Sequence, residues 1–350
     1  MSDYLPIIGI TMGDPAGIGP EIAAKVMANP STYHICRPLV VGDAAVMQQA
    51  VNLIGVSLKI HPIKTVAEAG FKLGTMDVYD LHLVNISKLE IGVISVMAGK
   101  AAFQAVHKVI ELAMNKEIDA TVTGPIHKKA INKAGYHFSG HTEIYAHYTN
   151  TKKYAMLLIH EGMRIIHVST HVSLRKACDL IKKDRILEVI QLLDDACKQF
   201  GIKQPRIGVA GLNPHASDGG LFGNEEIQEI IPAIKETTKK GFQVEGPIPA
   251  DTLFTKAMGG LYDGCVAMYH DQGHIPFKLA GFSWDSEKKR MKSVKGVNIT
   301  IGLPVIRASV DHGTAFEIAG KGVASPDALK SAIEYAVKMA KHRKQRELKL

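Results

Sequence analysis

Cysteine is scarce in this chain of 350 residues: Cys36, Cys178, Cys197 and Cys265 are the only four, and no two of them stand in Cys-x-x-Cys spacing. That spacing argues against a disulfide scaffold and a cysteine zinc site, and reads as reduced thiols in a cytoplasmic protein. No apolar run reaches the roughly 18 residues that a membrane helix needs. The first nine residues have neither a basic stretch nor a small-residue cleavage site, so no membrane partner and no export signal are expected. Aromatic residues make up 6% with a single Trp, and no aromatic platform interleaves with the basic segments, as a nucleic-acid binder would need for stacking. The formal charge of +8 is itself local, because residues 331–350 and 285–295 together supply nearly all of it. A basic tail and a basic insertion read as solvated decoration, and nucleic acid is not expected as a partner.

What is present is an ordinary globular balance, 46% hydrophobic and 22% charged, at a length that favours two lobes. Apolar β-rich runs at 7–11, 38–41, 81–84, 120–123, 156–159, 165–169, 206–210, 265–269 and 297–301 alternate with helical patterns at 101–115, 184–200, 225–239 and 326–341. Alternation of this kind predicts an α/β sandwich with a largely parallel sheet, whose ligands sit beyond the carboxyl ends of strands.

The first such loop is Gly13-Asp14-Pro15-Ala16-Gly17-Ile18-Gly19-Pro20-Glu21. It is not a dinucleotide fingerprint, since Ile22 occupies the place where a small residue is needed, and it has no Walker lysine. A structural turn and a ligand loop both remain open readings of it. Histidine is more informative. Of 16, His171, His215 and His270 each follow a predicted strand, and imidazoles are good ligands for zinc and other divalent ions. Their spacings of 44 and 55 residues mean that only the fold could assemble them. His160, His167 and His274 are set aside as packed residues. Asp271 and Asp251 are placed to orient a ligating imidazole. His141-Thr142-Glu143 should open a helix and attract an anion, and Lys278, Asn298 and Arg307 would suit a phosphate or carboxylate; internal salt bridges account for the two cations equally well.

These segments, with Asn213-Pro214-His215-Ala216, Pro249-Ala250-Asp251-Thr252, Met268-Tyr269-His270-Asp271-Gln272-Gly273 and Asp311-His312-Gly313-Thr314-Ala315, resemble the 4-hydroxythreonine-4-phosphate dehydrogenase family of pyridoxal-phosphate biosynthesis. The resemblance covers essentially the whole chain. Residues 311–326 are also similar to the adenosine loop of isocitrate and isopropylmalate dehydrogenases. His274-Ile275-Pro276-Phe277-Lys278 is closer to a branch acting on 4-phospho-D-threonate or 4-phospho-D-erythronate. The resemblance implies an isocitrate/isopropylmalate dehydrogenase-like α/β/α sandwich of two lobes with the cleft between them. A cofactor lobe is expected at 1–125 plus 250–350, and a dimerisation and substrate/metal lobe at 126–249. It implies a homodimer sharing its active site, NAD, and one divalent ion (Zn, Mg, Co or Mn) on His171, His215 and His270. Substrate residues would be His141, Thr142, Lys278, Asn298 and Arg307, and catalytic ones Lys278, Asp251 and Asp271. The dinucleotide is expected at His312, Gly313, Thr314 and Ala315. The implied reaction oxidises a 4-phosphorylated 3-hydroxy acid and decarboxylates the β-keto product. Alternatives are the 4-hydroxy-L-threonine phosphate activity, a dehydrogenase of aromatic cis-dihydrodiol acids, and a metal-dependent hydrolase that has a three-histidine site and no NAD.

Overall fold

The computed structural model describes residues 4–286, 290–294 and 296–348. Its strands are β1 (Ile7–Thr11), β2 (Arg37–Gly42), β3 (Lys59–Ile63), β4 (Thr75–Asp80), β5 (Ala120–Thr123), β6 (Ala155–His160), β7 (Met163–His167), β8 (Arg206–Ala210), β9 (Gln243–Ile248), β10 (Gly264–Ala267), β11 (Phe282–Asp285), β12 (Arg290–Val294), β13 (Val297–Ile301) and β14 (Arg307–Val310). The chain divides into two compact units, Met1–Lys152 with Leu303–Leu350, and Lys153–Gly302. No helix among the described residues is long and apolar enough to cross a membrane.

In the first unit six strands run in the order β3-β4-β2-β1-β5-β14, every neighbouring pair parallel. Helices cover parallel strands on both faces, so central strands are buried on both sides and read as continuous apolar runs; β5 is buried at all four positions. The helix Val96–Met114 begins where the Ser95 side chain accepts a hydrogen bond from the Ala98 amide at 3.1 Å. Its face Phe103, Val106, Val109, Ile110 and Leu112 is buried, as the periodicity predicts.

The second unit has the order β13-β6-β7-β10-β8-β9, in which β6 runs against its two neighbours and the other pairs are parallel. The unit begins and ends on adjacent strands, for Ala155 pairs with Ile301 in β6 and β13. The α/β class and the largely parallel sheets are therefore as expected from the alternation.

The structure draws the unit boundaries elsewhere than 125/126 and 249/250. Residues 126–152 stay with the first unit because the helix His141–Tyr148 buries Ile144 and Tyr145 in the cluster around Phe103. Residues 250–302 belong to the second because β10 pairs with both β7 and β8. The expected strand at 81–84 is a loop instead, since the Asp43 carboxylate accepts the Leu83 and Val84 amides at 2.9 Å each and His82 sits at φ 52°. The helical pattern at 225–239 is a π-type turn, Glu226–Ile230, followed by the helix Ile231–Lys239; Pro232 supplies no N–H to continue a single α-helix through it. The basic insertion is a two-stranded antiparallel ribbon of β11 and β12, with its residues 287–289 and 295 outside the described residues, as is Lys349 of the basic tail.

Candidate functional site

In the first unit Arg307 opens β14 opposite Thr121 of β5 and is 3% exposed. One guanidinium nitrogen, Nη2, donates to Thr123 Oγ1 at 3.1 Å, and the group lies 5.7 Å over the Tyr145 ring. The Tyr145 hydroxyl in turn donates to Thr121 Oγ1 at 2.8 Å, so the ring beneath the cation is fixed at both ends. Burial lowers the Arg307 pKa to about 10, with Tyr145 and Glu143 acting the other way, so the side chain stays charged at neutral pH.

Helix His141–Tyr148 starts after Gly140, carries Glu143 in its first turn and buries Ile144, Tyr145 and Ala146. His141, the first residue of this helix, lies close enough to Arg307 to feel its charge. His141 is kept neutral, first by burial and then by Arg307 and Lys128. Its Nε2 is covered and has no hydrogen-bond partner among the described residues. His141 and Arg307 are thus brought together as a cationic, hydrogen-bonding group in which burial is the dominant physical fact. Such a group favours a small anion.

The glycine loop packs directly on the loop expected to take the dinucleotide. The Ile18 amide donates to Thr314 O at 3.1 Å, and a Cβ on Gly17 would lie 3.0 Å from Thr314, so a side chain there would push the two loops apart. Thr314 is buried, Ala315 is held at φ 43°, and His312 is made less basic by burial while its Nδ1 lies 3.0 Å from Gly313 O. Two residues that the motif reading did not single out as functional frame this loop from the helix Gly19–Met27. Glu21 accepts the Gly320 amide at 2.5 Å, and Lys25 donates to Gly322 O at 2.8 Å and Ala324 O at 2.6 Å. Their i, i+4 spacing, an acid and a base on one helix face, was the available signal. A cavity of about 490 Å³ adjoins both loops, bordered by Pro15, Gly17, Glu21, Gln49, Asn52 and Gly320.

The second unit carries the histidines. Strands β7, β10 and β8 are consecutive neighbours in the sheet and parallel, so the loops after them leave one edge together. Hydrogen bonds lace those loops: Ser169 Oγ donates to Met268 O at 3.0 Å, Gln272 Oε1 accepts the Met268 amide at 2.6 Å, and Gln272 Nε2 donates to Gly211 O at 2.7 Å.

His270 is the first residue of the helix His270–Gly281 rather than the last of its strand. Its Nδ1–H donates to Asp271 Oδ1 at 2.7 Å, which leaves the Nε2 lone pair for a ligand. The His171 ring lies 5.7 Å from it, centroid to centroid. Two histidines set aside on sequence pack against His270 as well. His274 stacks on it at 3.7 Å, and His167 stands 4.8 Å from His274. Burial drives both below the usual imidazole range, His167 to about 3 and His274 to about 4. Gly273 is required here, because a Cβ would meet His167 Nε2 at 2.3 Å.

His215 lies on a turn in which His215, Ala216, Ser217 and Asp218, followed by Gly219, all have positive φ. Each non-glycine residue there costs about 1 kcal/mol, so surrounding contacts must hold the turn. His171 and His215 are exposed, as are Asp251 and Asp271. Among the described residues no three His, Cys, Asp or Glu side chains stand close enough to hold one metal ion. The expected trio is therefore not assembled within a single chain. Lys278, expected on or beside a strand, is on a helix, exposed, with its ammonium 5.4 Å over the Phe282 ring; Asn298 lies on β13 opposite Leu158. The histidine loops also expose large apolar side chains, Leu174, Leu221, Phe222, Ile275 and Leu279.

With the geometry in place, three comparisons bear on identity. The profile of the pyridoxal phosphate biosynthetic protein PdxA matches residues 34–336. A D-threonate 4-phosphate dehydrogenase from Cupriavidus necator is 46% identical over 344 residues, 98% of this chain and 100% of that one. Crystal structures of 4-hydroxythreonine-4-phosphate dehydrogenases from Burkholderia phymatum and Klebsiella pneumoniae match at TM-scores of 0.82 and 0.84. They are 43% and 42% identical, and each covers 96% of this chain and 99% of the other. Fold and relatives define an α/β oxidoreductase of the dehydrogenase kind. The chain belongs to the PdxA family.

Proposed function

We propose that this protein oxidises a 4-phosphorylated 3-hydroxy acid with NAD and that the β-keto product loses CO2, the favoured substrates being 4-phospho-D-threonate and 4-phospho-D-erythronate. The observation that carries this reading is the end-to-end match to a D-threonate 4-phosphate dehydrogenase. The buried Arg307 with His141 and Thr142 supports an anionic substrate group. The packing of the glycine loop on Thr314 and the adjoining 490 Å³ cavity support a dinucleotide held at His312, Gly313, Thr314 and Ala315.

The donor set of His171, His215 and His270 suits a divalent cation such as zinc, since the Asp271 carboxylate fixes the His270 tautomer and the other two rings are exposed. Because the described residues of one chain do not gather His171, His215 and His270 around one point, the site is read as shared between two copies, which would also cover the exposed apolar side chains around it. Held at these residues, NAD would supply the hydride acceptor, and a divalent cation would supply Lewis acidity toward the substrate hydroxyl and toward the charge left by decarboxylation. The chain's own work is to fix the substrate. Arg307 and His141 bind anionic oxygen, Asn298 is a substrate-binding residue, Lys278 is a cation for the phosphate or the developing enolate, and Asp251 and Asp271 hold the site's imidazoles in place. Four scattered cysteines without pairing spacing support a cytoplasmic location.

Purified protein with NAD, a divalent ion and 4-phospho-D-threonate should form NADH and CO2 in equal amounts. No NADH from any phosphorylated four-carbon hydroxy acid would overturn the reading. The solved relatives carry the 4-hydroxythreonine-4-phosphate name, so that substrate is the second reading. The two are separated by kcat/KM for the aminated and non-aminated acids. For the shared site, Leu279→Asp, at a side chain 78% exposed in one chain, should shift the protein to monomer in gel filtration.

A further inference from the structure

Glu226 is 1% exposed, yet it belongs to no part of the reaction described so far. Its Oε1 accepts the backbone amides of Leu212 and Asn213, each at 2.7 Å, and its Oε2 accepts Asn213 Nδ2 at 2.8 Å. Glu225 takes the same Asn213 amide group at 2.8 Å. Immediately after Asn213 and Pro214 comes the run of positive φ that begins at His215. The far side of the turn is pinned too, with Ser217 fully buried and its hydroxyl donating to Gly223 O at 2.8 Å. A carboxylate withdrawn from water needs donors, and here those donors are the backbone amides of Leu212 and Asn213 and the Asn213 side-chain amide, just ahead of the turn.

We infer that Glu226 is a positioning residue whose buried carboxylate clamps the backbone just ahead of His215 and so holds the left-handed turn that presents this imidazole to its ligand. Two N–H groups converging on one oxygen fix the direction in which the chain enters the turn. Without them the residues from 215 to 218 have every reason to relax to negative φ, which would carry the imidazole elsewhere. The inference rests on the reading of His215 as a metal ligand.

The test is titration of the metal-free protein with Co2+, followed by calorimetry and by the visible absorption of the bound ion, for wild type, H215A, E226Q and the H215A/E226Q double variant. Removing a residue that supports a ligand weakens metal binding about tenfold or more, so H215A and E226Q should each do so and should give the same altered Co2+ spectrum. The double variant should bind no worse than H215A alone, because a clamp acting only through His215 has nothing left to hold. A general loss of structure would instead add to the H215A effect. Should E226Q fail to fold, Asn213→Ala, which removes one donor to Glu226 and leaves the backbone amides, should give a smaller loss of the same kind. Wild-type Co2+ affinity in the folded E226Q protein, or additive losses in the double variant, would overturn the inference while leaving His215 as a ligand. Wild-type affinity in H215A would instead remove the ligand role of His215, and the inference with it.

Discussion

A guanidinium with 3% exposure lies on a tyrosine ring and is bonded to a threonine hydroxyl, and under the proposed function it would meet a substrate oxyanion as a planar fork, which the point charge of a lysine does not reproduce. Arg307→Lys should cost about 2 kcal/mol of substrate binding, roughly thirtyfold in KM, with a smaller change in kcat. Steady-state kinetics on the phosphorylated substrate checks this, and an unchanged KM would remove Arg307 from the binding group. Asp14 shows the same preference for burial with the opposite charge. Burial raises its carboxyl from the usual range to about 6, although the Ala16 amide bonds its Oδ1 at 2.9 Å. The folded state therefore holds this proton more tightly than the unfolded chain does. The stability linked to that proton is fully present below the unfolded value near pH 4 and is lost as pH rises through about 6. Asp14→Asn should leave stability unchanged at pH 3.5 and raise it at pH 8 by up to about 3 kcal/mol. Denaturant titrations at the two pH values would show the difference, and equal effects at both would refute it.

At the scale of elements, the helix His270–Gly281 lies against β7 so closely that the Gly273 Cα faces His167 Nε2. A methyl group there cannot be absorbed by a side chain that is 1% exposed. Gly273→Ala should destabilise the protein by about 2 kcal/mol and displace His270 with the helix. Chemical denaturation measures the first effect, and the Co2+ affinity of the folded variant the second.

Elements also mark what could be read in advance. Strands β1, β5, β8 and β13 were plain because most of their positions are buried and held by apolar or β-branched residues. β3 and β4 were not. β3 sits at the sheet edge, where Pro62 is tolerated, and β4 carries Asp77, 1% exposed but satisfied by His61 Nδ1 and the Phe71 amide at 2.7 Å each. Hydrogen-bond partners on the adjoining strand and loop make Asp77 compatible with a sheet. The position of His215 at a strand end was visible, but the positive φ of its turn was not, since Ala216, Ser217 and Asp218 have no intrinsic preference for it. The packing of His167 and His274 on His270 was likewise hidden, because a helix starting three residues after β10 turns His274 back over His270.

For the whole molecule, the path of the chain matters more than any single contact. The first unit is left unfinished at Lys152 and completed only by the last 48 residues, whose strand β14 pairs with β5. The second unit is an uninterrupted stretch whose two ends meet, Ala155 against Ile301 and Gly302 close enough to Lys153 O that a Cβ would lie 2.3 Å from it. A stretch with its own core and adjoining ends is a self-contained folding unit. Expressed alone, residues 153–302 should give a cooperative thermal transition by circular dichroism, and a featureless melt would show that the unit depends on the rest. Such a fragment would be a cassette: one gene segment, closed on itself like a bead on a loop of string. The imidazole chemistry could be tuned in it in isolation, and the finished piece spliced back between residues 152 and 303.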